Sequence, residues 1–179
     1  VFAWRFLAES SARPSAAHAA PGKPLSSRAA IWSVVSRSSE PVPRLIWIYA
    51  IAIGAFHGTV PTMPLLLSER LGVTMDTVGY FIMYLGGVGV IVRSLLLGRM
   101  VKALGEAPLA RLGVILLAAG LALVSFVHSY AVLWVALTLM PLGTAFIFPC
   151  ITGLLSRVVT SRDRGLYLSV QQTFGGISR

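Results

Sequence analysis

Charge is scarce in this sequence. Asp, Glu, Lys and Arg make up 12% of 179 residues, about half the share of an ordinary soluble domain, whereas 56% are hydrophobic. With a mean hydropathy of +0.80, a water-soluble protein built on one core is the poorest reading. Cysteine is nearly absent: a single Cys150 inside an apolar run gives neither a disulfide framework nor a thiolate metal site. There is no His-Glu-x-x-His, no Ser/His/Asp set and no Cys/His cluster, so a membrane-embedded enzyme would have no visible chemistry. The phosphate loop Gly-x-x-x-x-Gly-Lys-Ser/Thr of ATP-driven pumps is missing too. Gly87-Val88-Gly89 lacks the third glycine of a dinucleotide loop, and with Gly86 it reads as a small-residue face for close helix packing. No cofactor and no bound metal are expected.

What is present is apolar and contiguous. No Asp, Glu, Lys or Arg occurs from Leu45 to Ser68, nor from Leu112 to Ser156. Roughly 20 apolar residues cross a bilayer core of about 30 Å, so the second run is long enough for two crossings. The expected architecture is all-α, a polytopic transmembrane bundle with spans at about 45–67, 78–97, 112–127, 131–156 and 165–179. The chain begins at Val1 and stops within an apolar stretch, so it reads as a piece of a longer protein, with residues 1–8 the end of a preceding span. Residues 9–44, rich in Ser, Ala and Pro, read as a largely flexible linker, with a short amphipathic turn conceivable near Ile31–Val35.

The basic residues are not scattered. Eleven Lys and Arg fall in the linker and in the connectors 98–111 and 157–164, against one, Arg70, in the two alternate connectors. That bias places the linker and both basic connectors in the cytoplasm. It also accounts for the net charge of +9 without a nucleic-acid partner.

Several short motifs resemble the second half of a major facilitator superfamily transporter, most like the drug/proton antiporter and tetracycline-efflux branch. Phe6-Leu7-Ala8-Glu9-Ser10 is similar to the end of that branch's sixth helix, commonly Phe-Leu-Pro-Glu-Ser. Gly98-Arg99-Met100-Val101-Lys102-Ala103-Leu104-Gly105 resembles the signature Gly-x-Leu-x-Asp-Arg-x-Gly-Arg between helices eight and nine, with Lys102 at the acidic position and Glu106 in place of the last arginine. Pro141-Leu142-Gly143, Phe148-Pro149 and Arg164-Gly165 look like the tenth helix and the loop after it. The resemblance implies part of a twelve-helix alternating-access carrier whose two six-helix bundles rock about a midplane solute site. It further implies a bacterial inner-membrane protein, protons and a small molecule as partners, and the missing N-terminal half as the other wall. The alternative is a receptor or assembly subunit on the same scaffold.

Candidate residues follow. His57 lies near the middle of its span, where an ionisable side chain is by default a functional hypothesis; the competing reading is a neutral imidazole bonded to a helix carbonyl. Gln171 and Gln172 suit substrate binding or helix–helix hydrogen bonding equally. Pro61, Pro64, Pro141 and Pro149 are expected to bend their helices, as hinges or static kinks. Arg93, with Gly98, Lys102 and Gly105, reads as a cytoplasmic gate or loop, or simply as a snorkelling arginine about 6 Å from the span's end. Glu106 is expected to cap or pair within its own loop, Asp163 to pair with neighbouring arginines, and Tyr80 and Tyr84 to anchor at the outer interface.

Overall fold

The computed structural model describes residues 26–179, so the expected helix end at 1–8 and the linker up to residue 25 lie outside the described residues. Every regular element among the described residues is helical. The first, α1 (Ser27–Ser36), falls inside the stretch expected to be flexible. Ser26 caps it by accepting from the Ala29 amide at 3.3 Å. Ala30 and Val34, one turn apart, are fully buried against Ile46, Leu155 and Val170, and Trp47 Nε1 donates to the Val34 carbonyl at 3.0 Å. A two-residue apolar stripe is enough to dock this helix, and the Ser- and Pro-rich surroundings hide it.

The second helix, α2 (Pro41–Leu71), starts earlier than Leu45 because Pro41 occupies the first turn, where a missing N–H costs nothing. It ends where Gly72 adopts φ 65° and its N–H returns to the Leu67 and Ser68 carbonyls. Next, α3 (Met75–Ile91) passes through a π turn, Val92–Leu96, into α4 (Leu97–Leu104). The packing face runs through Val78, Phe81, Leu85 and Val88 on α3 to Val92 at the start of the π turn, and on α4 it resumes at Leu97, Met100 and Val101. The extra residue of the π turn absorbs the long step from Val92 to Leu97 and keeps both halves on the core. Then come α5 (Glu106–Ser125), α6 (Tyr130–Val158) and α7 (Arg164–Ile177). Four helical stretches, Pro41–Leu71, Asp76–Leu104, Glu106–Ser125 and Tyr130–Val158, are long and apolar enough to cross a membrane.

The connector expected across 98–111 is almost entirely helix. Only Gly105 breaks it, at φ 83° and ψ 165°, a region open in practice to glycine alone. Gly98 is helical, with open space where a Cβ would be.

At the centre lies α6, fully buried at Leu133, Ala136, Leu137, Met140, Ala145 and Ile147. Its closest neighbour is α5, whose buried residues Ala110, Gly113, Leu117, Gly120 and Val124 recur at alternating steps of three and four. A Cβ on Gly143 would stand 2.6 Å from the Leu117 amide nitrogen, and one on Gly113 2.9 Å from the Gly143 carbonyl oxygen. The close helix approach is therefore here, and not at Gly86 and Gly87, which face open space; Gly89 makes only ordinary contact, 3.7 Å, with Pro141.

Consecutive long helices alternate in direction. Arg70 Nη1 donates to the Ser125 carbonyl at 2.7 Å and Tyr130 OH to that of Leu71 at 3.3 Å, joining three helix termini at one end. At the opposite end Arg157 meets Glu106. That end also gathers Arg44, Arg99, Lys102, Arg111 and Arg164, so the bundle has one strongly basic end.

Candidate functional site

The residues singled out from sequence fall into three places. The first is the contact of α7 with α2 and α6. Gln171 is fully buried, and its Nε2 donates to Thr152 Oγ1 on α6 at 2.9 Å, while Oε1 has no partner among the described residues. Gln172 is exposed, and its Oε1 accepts from Tyr49 OH at 3.3 Å. Tyr49 in turn stacks edge-on against Phe148 of α6, ring centroids 5.4 Å apart. Gly175 admits this aromatic, since a Cβ there would lie 2.8 Å from Tyr49 Cε1. Both glutamines thus tie helices together, and neither Thr152 nor Tyr49 was marked by any sequence motif. Their only signal is polarity inside an apolar span.

The second place is the middle of α2. His57 is half-buried, and its Nδ1 lies 3.1 Å from the Ile53 carbonyl. A carbonyl only accepts, so Nδ1 carries the hydrogen and Nε2 is the basic nitrogen. Nε2 has no partner among the described residues. Pro61, four residues on, has no N–H for the His57 carbonyl, so the side chain stands at a break in the helical ladder. Thr59 and Thr62 hydroxyls bond carbonyls in the same turns, at 2.8 Å to Ala55 and 2.9 Å to Thr59. The neighbouring Gly54 packs on the end of α7, a Cβ there falling 3.0 Å from the Ser178 carbonyl oxygen. Around Pro61 and Pro64, and around Pro141 and Pro149 in α6, the helices continue without interruption.

The third place is the basic end. Arg93 lies in the π turn, exposed and without an ion pair among the described residues; Lys102 is likewise exposed on α4. They are not brought near His57. Instead the acid of this region, Glu106, departs from its expected place. It does not pair within its own loop but reaches across to α6, where its Oε1 meets Arg157 Nη2 at 2.9 Å. The carboxylate lies against Gly153, at which a Cβ would be 3.0 Å from Oε1. Asp163 likewise accepts from Thr160 Oγ1 at 3.2 Å rather than pairing with Arg162 or Arg164. The Tyr84 hydroxyl lies 3.0 Å from Thr138 Oγ1 and its ring packs edge-on against Trp134 of α6. Tyr80 is 67% exposed.

Among the described residues no group of His, Cys, Asp and Glu side chains could hold a metal ion. No curated protein and no solved structure matches the chain. The sequence profile of one family, described as Major Facilitator Superfamily, matches residues 1–179. All-helical spans of membrane length, set in alternating directions, agree with that match, and the chain belongs to the Major Facilitator Superfamily, whose members are membrane transporters of small solutes and not enzymes.

Proposed function

We propose that this protein exports a small solute in exchange for protons by alternating access, with His57 as a proton-carrying group. The observation that carries the reading is the state of the His57 ring: Nδ1 is engaged with its own helix, while the basic Nε2 is left unpartnered at mid-span. The Nδ1 bond to the Ile53 carbonyl is what a packing histidine also makes, so the reading rests on the unpartnered Nε2. The ring packs edge-on against Phe56, and the exposed Gly58 and the proline break at Pro61 follow on the same helix. Pro61, Pro64, Pro141 and Pro149 are the proposed flexing points of α2 and α6. Export rather than import rests on the resemblance to the antiporter branch alone. The other wall of the path is a second helical bundle of the same protein, the setting a bacterial inner membrane, and the basic end cytoplasmic.

The test is solute flux in vesicles with and without an imposed pH gradient. Flux should collapse when a protonophore removes the gradient. His57→Ala should abolish it or move its pH profile while membrane insertion stays intact. Gradient-independent flux, or an unchanged pH profile in His57→Ala, refutes proton coupling through this residue. A well-folded protein that moves no compound supports the receptor or assembly reading.

A further inference from the structure

Between α2, α5 and α6, at the basic end, lies a cavity of about 380 Å³. Its walls are Arg44 and Ile48 on α2, Arg111 and Val114 on α5, and Ile151 and Leu154 on α6. The arrangement is graded by depth. At 1.5 Å per residue, each arginine stands within about 8 Å of the start of its helix, and the aliphatic side chains follow one turn further in. Neither Arg44 nor Arg111 makes an ion pair among the described residues, and the acids nearest in sequence are already engaged, Glu40 with Arg37 and Glu106 with Arg157. Two cations therefore flank the mouth of an apolar slot without a counter-charge.

The depth matches a membrane surface. The 31 residues of α2 and 29 of α6 give lengths of about 46 and 44 Å, well beyond a hydrocarbon core of about 30 Å. The excess of α2 is shared between its two ends, and the uncharged runs begin at Leu45 and Leu112, directly after Arg44 and Arg111. This sets Arg44 and Arg111 at headgroup level and Ile48, Val114 and Ile151 at the first acyl carbons. A water-soluble anion would use the two guanidinium groups and leave the slot empty; an uncharged apolar occupant would leave both guanidinium groups unpaired. An anionic phospholipid uses both.

We propose that this cavity is a binding site for an anionic phospholipid, whose phosphate sits between Arg44 and Arg111 and whose acyl chain enters the slot beside Ile48, Val114 and Ile151. The site is independent of the transport reading: Arg44 precedes His57 on the same helix by about 20 Å. Basic pockets between spans at the cytoplasmic surface are a known mode of lipid recognition, each arginine near the surface contributing enough that losing two lowers affinity roughly thirtyfold.

The experiment measures lipid retention on the purified protein by native mass spectrometry, and melting temperature on titration with phosphatidylglycerol, phosphatidylcholine or inorganic phosphate. Phosphatidylglycerol should be retained and should raise the melting temperature, while phosphatidylcholine does neither. Arg44→Gln combined with Arg111→Gln should cut phosphatidylglycerol affinity about thirtyfold. Val114→Trp, which fills the slot and keeps both charges, should also displace the lipid. Equal effects of the two lipids overturn the proposal, as does full retention in the double variant. Inorganic phosphate reproducing the whole melting shift shows a free-anion site instead. Should either variant fail to fold, the comparison of the three ligands on the unaltered protein decides; no response to phosphatidylglycerol there means that the cavity is occupied by protein or is empty.

Discussion

At the scale of single residues, the strongest constraints fall on glycines that bear no chemistry. Gly113, Gly120 and Gly143 let two backbones approach until a methyl group has no room: at Gly143 the nearest atom is the Leu117 backbone nitrogen, 2.6 Å from a built Cβ. A backbone cannot swing aside as a long side chain can. Gly143→Ala should therefore destabilise the bundle by about 1–3 kcal/mol, the usual cost of overpacking. Gly87→Ala meets nothing within 4 Å and gains helix propensity, so it should be neutral or stabilising by up to about 1 kcal/mol. Melting of the two variants in detergent checks the contrast, and equal melting temperatures would contradict the α5–α6 seam. Among the described residues the close approach falls on glycines other than those the sequence suggested, for an intelligible reason. Gly86, Gly87 and Gly89 cluster visibly along the chain, whereas Gly113, Gly120 and Gly143 become a cluster only once α5 is laid against α6. The seven-residue step from Gly113 to Gly120 was the one local sign of it.

At the scale of elements, hydropathy located the long helices well and their ends poorly. The spans expected at 45–67 and 78–97 correspond to helices that continue to Pro41 and to Leu104, because the excess is amphipathic and not apolar. Met100 and Val101 of α4 pack on the core while Arg99 and Lys102 stay exposed, a pattern that a search for uncharged runs discards. The motif glycines separate in the same way. Gly98 occupies an ordinary helical position, but Gly105 alone turns the chain from α4 into α5, at φ 83° and ψ 165°. Gly105→Ala should cost about 1–3 kcal/mol from backbone strain. It should also raise protease cleavage between Leu104 and Glu106, whereas Gly98→Ala should change neither. Equal protease resistance in both variants would remove the special role of Gly105. His57 was legible from depth alone, since an imidazole in an uncharged span is conspicuous. The Glu106–Arg157 pair was not, because nothing in a linear reading joins the start of α5 to the end of α6.

At the scale of the whole molecule, charge asymmetry and helix direction are independent observations that agree. Alternation follows from contacts: Arg70 with Ser125 and Tyr130 with Leu71 at one end, Glu106 with Arg157 at the other. The excess of Lys and Arg in every connector at the Glu106 end follows from composition alone. The positive-inside rule turns the pair into the proposed orientation, with that end in the cytoplasm. The chain suits a direct test, because its one cysteine, Cys150, is 1% exposed and should stay silent toward a bulky, membrane-impermeant maleimide. His128, in the turn between α5 and α6, and Arg162, between α6 and α7, are both exposed and lie at opposite ends of the 29-residue α6. In intact cells His128→Cys should be labelled at once, and Arg162→Cys only after the membrane is permeabilised. The reverse pattern would invert the topology and place Arg44, Arg111 and the cavity between them at the outer leaflet. Labelling of both variants in intact cells would mean that α6 does not span the membrane, which its mean hydropathy of 2.0 over the apolar window makes physically costly to arrange in any other way.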